Sequence, residues 1–532
     1  MAPGAAGRDV LESREFADED DYERRPQRRR YEEPLVVKVR RQLLTIAESA
    51  ARRAEDDVAY IARIVTENHE DEELRSMFVE SAIDLVLEQP LKIPFVAGII
   101  LVANNQKSEL ATEVLNAAGD TVQNYINIGA WREVKLILRF LGCLQAIFES
   151  DGIFPLLDEL FSRAVDLQTT SSEDLLGLEL VKIILFTIPY VMASPALGFE
   201  AQASALLEKT DIITSTPHAL VDMVNPFVPE SGKPPSVHSI ISLLQNQLQG
   251  EANRGWELLC IPRPWKLAPQ EEEEPKPFEP GPKHRFPQIT IPNPARKGAR
   301  SISPEVYFSV YSGQEVETVP STLDISSSLL RDSLVDTINL LDFNRIAAAK
   351  YLIDVDCYFT PNTFVKRATP FDRLRDIPEG RPTWKPEDVA VDAVFSQLFT
   401  LPAPEHKLVY YHSLLTECCK IAPAAIAPSL GRAIRFLYRS LEKLDLDLSH
   451  RFLDWFSHHL SNFGFTWKWS EWVDDLELPR VHPMMAFITG AIDKEIRLSF
   501  AQRIRGTLPD PYQVLIPEGK EKDTPDFKYL SE

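Results

Sequence analysis

Residues Trp131 to Phe148 read WREVKLILRFLGCLQAIF, and the spacing of their apolar side chains decides the fold class. The apolar positions recur at intervals of three and four residues: Val134, Ile137, Leu138, Leu141, Leu144 and Phe148. That interval places them on one face of an α-helix, whereas a half-buried strand would alternate with a period of two. The stretch therefore predicts a helix with one buried face.

The same pattern extends from Pro34 to about Gln249 and predicts a first helical domain over residues 34–261. Comparable stripes occur at Val58-Ile61-Val65, at Leu74-Phe78-Ala82-Leu85 and from Leu178 to Val191. Short breaks rich in Pro, Gly, Asn or Asp separate them, so successive helices must lie antiparallel and stack into a solenoid. No crisp sequence period is visible, which favours degenerate HEAT-like repeats. The fold class is predicted to be all-α.

A second helical domain is predicted over residues 320–506. Its most legible helices are Leu329–Leu341, Arg345–Leu352, Glu387–Phe399, His406–Lys420, Pro428–Glu442 and Ser449–Asn462, with a closing helix over Lys494–Arg505. Residues 507–532 are polar and contain proline, and they carry no clear helical pattern.

The segment between the two domains, residues 262–319, has a different composition. It combines recurrent prolines with an acidic run from Glu271 to Glu274. Proline removes an amide donor and fixes the backbone, so neither a helix nor a central strand is expected here. We predict a linker that Trp256, Trp265 and Phe286 pin to the first domain. The stretch from Val306 to Tyr311 alternates briefly and is expected to be extended.

The first 33 residues lack apolar periodicity and are predicted to form a disordered tail. An acidic patch precedes a cluster of five arginines: Arg24, Arg25, Arg28, Arg29 and Arg30. Such a cluster is either a nuclear localisation signal read by importin or a solvated run of charge.

Composition narrows the classes of function. The chain has 57 basic and 79 acidic residues among 532, a net charge of −22. Because nucleic-acid affinity depends on neutralising phosphates, a chain this acidic is a poor RNA binder by itself, and a partner should supply any RNA contact. The five cysteines form no C-x-x-C pair, which is typical of a reduced compartment. The apolar runs are too short or interrupted to predict a membrane span; the run from Ile183 to Leu197 is broken by Pro189.

Catalytic signatures are missing from the sequence. It contains no phosphate-binding glycine loop, no H-E-x-x-H and no G-x-S-x-G. His458 and His459 diverge by about 100° on a helix, so they cannot share a metal ion there. His459 lies on an apolar stripe and is predicted to be a core histidine with bonded ring nitrogens, and Cys418-Cys419 to be core residues. We predict a protein that is not an enzyme and has no cofactor and no metal.

An unusual aromatic stretch follows the predicted helix that ends near Asn462: Phe463, Phe465, Trp467, Trp469 and Trp472. One interpretation is a loop that buries its rings between neighbouring helices. The alternative is a partner-binding surface, because Trp is favoured as an anchor at interfaces. Direct base stacking fits less well, since Lys468 is the sole basic residue nearby and stacking platforms usually come with a basic groove.

Three strings of residues in the second domain carry a family resemblance. They are Phe395 to Pro404 (FSQLFTLPAP), Arg451 to Phe463 (RFLDWFSHHLSNF) with the Trp467-Lys468-Trp469 arm, and Arg497-Leu498-Ser499 with Gln502-Arg503-Ile504. Together they resemble the large subunit of the nuclear cap-binding complex. Weaker resemblances lie at Glu133 to Leu141 and Ile184 to Val191, and the arginine cluster is placed like that family's nuclear localisation signal. The resemblance extends over about residues 34–506.

The resemblance implies HEAT-like domains similar to the middle domain of translation initiation factor 4G. It also implies a nuclear scaffold that shuttles to the cytoplasm. Such a scaffold clasps a small subunit bearing an RNA-recognition motif (RRM), orders it so that it binds the 7-methylguanosine cap of RNA polymerase II transcripts, and contacts capped RNA only through it. Factors for splicing, export, 3′-end processing and nonsense-mediated decay would dock on the helical surface.

The family has three such domains, whereas this sequence ends after the second. Residues 507–532 resemble a connector toward a missing third domain, which suggests a fragment or an incomplete gene model. Two alternatives remain open. One is a helical scaffold of translation or RNA decay, and the other is a HEAT-type transport adaptor of nuclear RNA metabolism that contacts no cap-binding subunit.

Overall fold

The computed structural model describes residues 33–228, 239–266 and 278–516. Regular structure in these ranges is helical, and strand-like pairing is limited to isolated bridges. The all-α prediction is therefore confirmed. The arginine cluster and the acidic run Glu271–Glu274 both lie outside the described residues.

Within residues 33–228 and 239–266, ten α-helices form the first helical unit. They are α1 (Leu35–Thr45), α2 (Ala54–Glu67), α3 (Glu72–Glu88), α4 (Ile93–Asn104), α5 (Ser108–Ile128), α6 (Trp131–Cys143), α7 (Phe154–Thr170), α8 (Leu175–Ala193), α9 (Glu200–Thr214) and α10 (Ile240–Asn253). Short 3₁₀ turns lie at Pro90–Lys92, Gln145–Ile147 and Val221–Val224. Helices adjacent in the chain pack on each other, as α7 does on α8, and so do helices two apart, as α6 does on α8, so each buries its apolar side chains against its neighbours.

In the described range that ends at residue 516, eight α-helices form the second helical unit. They are α11 (Ile325–Leu340), α12 (Arg345–Ile353), α13 (Pro386–Leu398), α14 (Leu408–Ile421), α15 (Pro423–Ser440), α16 (Leu446–Asn462), α17 (Pro483–Leu498) and α18 (Ala501–Arg505). Its 3₁₀ turns are Val355–Cys357, Phe371–Asp376, Trp469–Trp472, Asp474–Glu477 and Asp510–Leu515.

The predicted closing helix over Lys494–Arg505 is wrong. Its first half belongs to α17, which begins at Pro483, and the chain then leaves the helical region at Ser499 and Phe500 before α18 starts. Phe500 is extended, with φ −158° and ψ 154°. The apolar interval of the sequence continues across this break, so periodicity alone could not detect it.

The helix α8 continues through Pro189 to Ala193, although the sequence suggested an interruption there. By length and composition it could cross a membrane, and so could the bent pair formed by Glu72–Glu88 and Pro90–Asn104. However, 78% of the apolar window of α8 is buried inside the protein. A helix that is apolar all round and packed on every side is typical of a core.

Residues 278–306 form an extended strap across the first helical unit. Asn104 in α4 donates to the carbonyl oxygens of Pro280 and Pro282 (2.8 and 2.9 Å), and the His284 amide donates to Ile147 (2.7 Å). The Trp131 indole donates to Arg296 (3.0 Å) further along. These bonds give a proline-rich segment the partners that its own sequence cannot provide.

Prolines on or near the strap sit against glycines of the underlying helices. A Cβ on Gly119 of α5 would lie 2.7 Å from Pro287, and one on Gly98 of α4 would lie 2.8 Å from Pro264. The three aromatic side chains that were predicted to hold the linker on the first domain make the expected contacts. Trp256 and Trp265 are buried, and the Phe286 ring meets Phe148 edge-on at 4.9 Å. Small residues therefore let the segment approach the helices closely.

The predicted extension over Val306–Tyr311 is only partly observed. Val306 forms an isolated antiparallel bridge with Ser239, and the Ile240 amide donates to Glu305 (3.0 Å). The chain then turns at Val310 to Gly313 rather than continuing as a strand.

Candidate functional site

The two helical units meet through a buried network of ions. Three basic residues lie on one face of α6, and two acidic residues face them from α11: Arg132, Lys135, Arg139, Asp332 and Asp336. The Lys135 ammonium is 2.9 Å from Asp332 and 2.8 Å from Asp336. Arg139 pairs with both carboxylates, and Arg132 binds Glu405 with both terminal nitrogens.

Burial makes this network energetically demanding. Arg139 is 1% exposed, and its guanidinium lies 5.0 Å from the ring centroid of Phe186 and 5.4 Å from that of Tyr190. Burial alone would raise the pKa of Asp332, but Arg139 and Lys135 hold that pKa below its ordinary value. Buried charges of this kind are stable only as a set, because removing one leaves its partner desolvated and unpaired.

Further contacts join the units. The Tyr351 hydroxyl of α12 donates to Gln89 at 2.8 Å, and Lys350 lies 3.3 Å from Glu48, which also binds the buried Lys92 of the first unit at 2.8 Å. Elsewhere the Val228 amide donates to Lys443 (2.7 Å). Within the described residues the units are thus tied at several separated places, which fixes their relative orientation.

A cavity of about 450 Å³ lies at this junction. We call it the junction cavity; its walls come from α6, α8, residues 300–307 of the strap region, α11 and residues 396–405. Basic and acidic side chains both line it, including Lys182, Arg300, Arg331, Glu305 and Glu405. Its volume lies within the usual range for small-ligand and peptide pockets.

The aromatic arm, residues 463–472, folds back into the second helical unit. Phe465, Trp469 and Trp472 are buried, whereas Phe463 and Trp467 are partly exposed. The Trp472 ring stacks on Tyr438 with centroids 3.9 Å apart. The Tyr512 hydroxyl donates to the Trp469 carbonyl (2.7 Å), so the chain beyond α18 covers the arm from outside.

The predicted partner-binding residues of the aromatic arm differ in burial. The three buried rings fill space between helices, as the packing interpretation requires, and they offer no surface to a partner. Phe463 and Trp467 retain exposed area, and the Arg435 guanidinium lies 5.2 Å from the Trp467 ring centroid. Partner binding by the arm stays a prediction, now restricted to those two rings.

The histidine pair lies on α16. His459 is buried and stacks on Trp455 with centroids 5.4 Å apart, as predicted for a core histidine. In the part of the chain that the structure describes, its Nδ1 has no hydrogen-bond partner, so the expectation of bonded ring nitrogens is wrong for that atom. Burial, with His458 beside it, lowers the pKa of His459 to about 4. His459 is therefore neutral at physiological pH.

The adjacent cysteines Cys418 and Cys419 lie in the core of the second helical unit. Cys418 and Cys419 are buried on α14 without a disulfide, which agrees with the core prediction. Burial raises the pKa of the Cys418 thiol far above its ordinary value, so thiolate chemistry is suppressed. Within the described ranges, no group of three or more His, Cys, Asp or Glu side chains could hold a metal ion.

The sequence contains a signal for the ion network, which lies in the spacing of its charged residues and not in its apolar periodicity. Arg132, Lys135 and Arg139 follow one another at three and four residues on a helix that is mostly apolar, and Asp332 and Asp336 are four apart. Charges that share a face with buried residues indicate a partner across that face. The sequence does not show which helix supplies this partner, and the structure shows that it is α11.

Comparison with known proteins identifies the class of domain to which the second helical unit belongs. A family model described as MIF4G like matches residues 320–510, which include all of α11–α18. The second helical unit is therefore a MIF4G-like helical domain.

Longer similarities extend over both helical units. The chain is 32% identical to nuclear cap-binding protein subunit 1 of Schizosaccharomyces pombe over 96% of its own length and 64% of that protein's. It is 27% identical to nuclear cap-binding protein complex subunit 1 of Saccharomyces cerevisiae, over 94% of this chain and 62% of the relative. It is 24% identical to the Oryza sativa subunit 1 over 83% of this chain and 50% of the relative. The resemblance to the large subunit of the nuclear cap-binding complex is thereby confirmed, and the chain spans less than two thirds of the length of these relatives.

Proposed function

We propose that this chain is the large scaffold subunit of a nuclear cap-binding complex. In this role it holds a small RRM-containing subunit in the form that binds the 7-methylguanosine cap of RNA polymerase II transcripts. The observation that carries the proposal is the 32% identity over 96% of the chain to a protein named nuclear cap-binding protein subunit 1. The similarity includes both helical units and the strap between them.

The physical properties of the chain support a scaffold rather than a direct RNA binder. With a net charge of −22 it repels phosphate, so capped RNA would be contacted through the small subunit. A helical solenoid offers large surfaces on which factors for splicing, export, 3′-end processing and mRNA decay could dock. The buried cysteines and the lack of catalytic motifs in the sequence support a role without catalysis.

The partner surface is proposed at the exposed part of the aromatic arm. Phe463 and Trp467 present partial ring area beside Lys468, whose side chain is 70% exposed. Partly exposed aromatic side chains are favoured anchors for a partner. Importin binding through Arg24, Arg25, Arg28, Arg29 and Arg30, with nuclear localisation and shuttling to the cytoplasm, belongs to the same proposal.

The test is reconstitution with the RRM-bearing small subunit from the same source. Size-exclusion chromatography and calorimetry would be run with and without a cap analogue. A stable complex that binds the cap analogue more tightly than the small subunit alone is the expected result. Failure to form a complex, both with this chain and with a chain lengthened to match the relatives, would favour a HEAT-type scaffold or transport adaptor that contacts no cap-binding subunit.

A pair of variants locates the surface. Trp467→Ala should weaken binding of the small subunit, whereas Phe343→Ala removes an 80% exposed ring elsewhere on the second unit and should leave it unchanged. Equal binding by both variants would exclude the arm as the contact while leaving the scaffold proposal intact.

A further inference from the structure

Residues 299–304 cross from the strap into the wall of the junction cavity without main-chain anchoring. They read ARSISP, and none of the six is buried. The chain is held before them by the Trp131–Arg296 bond and after them by the Ile240–Glu305 bond. Among described residues, no hydrogen bond is made by the main chain of 299–304. This segment can therefore lift into the cleft of a modifying enzyme without breaking main-chain bonds.

The chemistry of the segment matches one class of modifying enzyme. Ser303 is followed by Pro304, and basic residues precede it at Arg296, Lys297 and Arg300. Proline at the next position biases Ser303 toward the extended backbone that protein kinases bind, and proline-directed kinases select this pair. The Ser303 hydroxyl has no hydrogen-bond partner within the described chain, so it is free to react.

Cations with unused donors lie around the same cavity. Ser303, Lys182 and Arg300 all line it. Arg300 uses Nη2 to bind Glu179 at 3.0 Å, while its Nη1 is 3.8 Å from Glu405, beyond hydrogen-bond distance. Lys182 binds the buried Glu179 at 2.7 Å and the exposed Glu305 at 3.1 Å. Glu305 can swing into water, which would free one donor of Lys182 for a stronger anion.

We propose that Ser303 is a phosphorylation site whose phosphate group binds Arg300 and Lys182 at the junction of the two helical units. A proline-directed kinase would transfer the group from ATP. The Ser303 oxygen forms a bond to the γ-phosphorus, the bond from that phosphorus to the bridging oxygen of ADP breaks, and the hydroxyl proton passes to a carboxylate of the kinase.

The modification would strengthen the contact between the strap region and α8 and weaken one contact between the two helical units. A phosphate dianion carries three acceptor oxygens and replaces the single carboxylate of Glu305 on Lys182. It would then bridge the strap region to α8 and draw Arg300 away from Glu405 of the second unit. This proposal stands on the cavity and its cations and does not depend on the cap-binding role.

The first test places phosphoserine at position 303 of the full chain and titrates the phosphate by ³¹P NMR. A free phosphoserine has a second pKa of about 6, and bound cations should lower it by about 0.5–1 unit. The control is phosphoserine at Ser172, an exposed position followed by Glu173 and Asp174, where the value should stay at about 6 or above. Equal titration at the two positions would overturn the proposal.

Two variants of the phosphorylated chain identify the cations. Arg300→Ala and Lys182→Met should each move the phosphate pKa back toward that of the control. Lys182 is buried against Glu179, so its variant can fail to fold; Arg300 is 36% exposed, and its variant then decides alone. A phosphate pKa that Arg300→Ala leaves unchanged would contradict the proposed binding.

A third experiment tests whether a kinase can reach Ser303 in the folded chain. The unmodified chain is incubated with a proline-directed kinase and ATP, and the product is analysed by mass spectrometry. Incorporation at Ser303, lost in Ser303→Ala, is expected. Incorporation into a synthetic peptide of residues 296–306 but not into the folded chain would overturn the proposal, and so would incorporation into neither.

Discussion

Among single residues, Glu495 is a carboxyl group buried in the second helical unit. It lies on the buried face of α17, is 0% exposed, and neither carboxyl oxygen has a hydrogen-bond partner among the described residues. Burial raises the pKa of Glu495 to about 8. A carboxyl group in this position is therefore protonated at neutral pH and becomes a buried unpaired charge at higher pH.

The sign of the resulting pH dependence follows from linkage. Below about pH 4.5 the carboxyl group carries a proton in both the folded and the unfolded chain, so it makes no pH-dependent contribution. Between about 4.5 and 8 the unfolded chain loses the proton and the folded chain keeps it, which lowers the free energy of unfolding progressively. Above about pH 8 the loss is complete and constant.

We therefore expect Glu495→Gln to stabilise the protein by an amount that grows with pH. The gain should be small at pH 4.5 and reach the order of 4 kcal/mol at pH 8. Thermal or urea unfolding at several pH values measures it. Glu109→Gln, at an exposed position of α5, is the matched control and should show no such trend. A gain that is independent of pH would mean that Glu495 is charged or partnered in the folded chain.

At the scale of elements, the aromatic arm shows how a sequence signal can be read in two ways. Five closely spaced aromatic residues are equally compatible with an interface and with a packed loop, because both bury rings. What separates the two interpretations is the chain beyond α18, whose Tyr512 covers Trp469. Residues so far apart along the chain leave no local pattern, so sequence could identify the arm but not its neighbours.

Substitutions in the arm should separate packing from binding. Trp469 is 1% exposed and meets Phe456 edge-on at 5.9 Å, so Trp469→Ala should cost about 3–5 kcal/mol of unfolding free energy. Trp467→Ala removes a ring that already has solvent access and should cost clearly less. Urea denaturation of the two variants makes the comparison. Similar losses would mean that the two rings are equally buried in solution.

The glycines under the strap give a second prediction at this scale. Gly119→Ala places a methyl group 2.7 Å from the position of Pro287, so the strap or α5 must shift, at a cost of about 1–3 kcal/mol. Among the described residues nothing lies within 4 Å of a Cβ added at Gly250 of α10, and Gly250→Ala should instead stabilise by about 0.5–1 kcal/mol. The opposite signs distinguish close approach of the strap from helix propensity.

Thermal unfolding would measure both glycine variants. Hydrogen exchange over residues 284–291 would show whether Gly119→Ala loosens the strap specifically. A stabilising effect at both positions would mean that the strap does not rest on α5 in solution.

At the scale of the whole molecule, the sequence was sufficient for the architecture and insufficient for the arrangement of its two units. Apolar stripes predicted stacked helices, because each stripe requires only some partner. The arrangement depends on which partner, and here Arg139 of α6 finds Asp332 of α11. Charged side chains pair with the opposite charges that the fold places close to them. Local sequence therefore does not determine which residues pair.

A double-mutant cycle on this pair tests whether the junction behaves as one buried unit. Arg139→Met or Asp332→Leu alone leaves a desolvated charge with an incomplete partner set, and each should cost about 3–5 kcal/mol. The double variant replaces the pair by apolar side chains beside Phe186 and Tyr190, so its cost should fall well below the sum. The exposed pair Lys209–Asp158, 2.6 Å apart with both side chains about half exposed, is the control, and Lys209→Met should cost less than about 1 kcal/mol. Strict additivity at Arg139 and Asp332 in urea denaturation would mean that the two side chains do not share one environment, and that the two helical units are joined elsewhere.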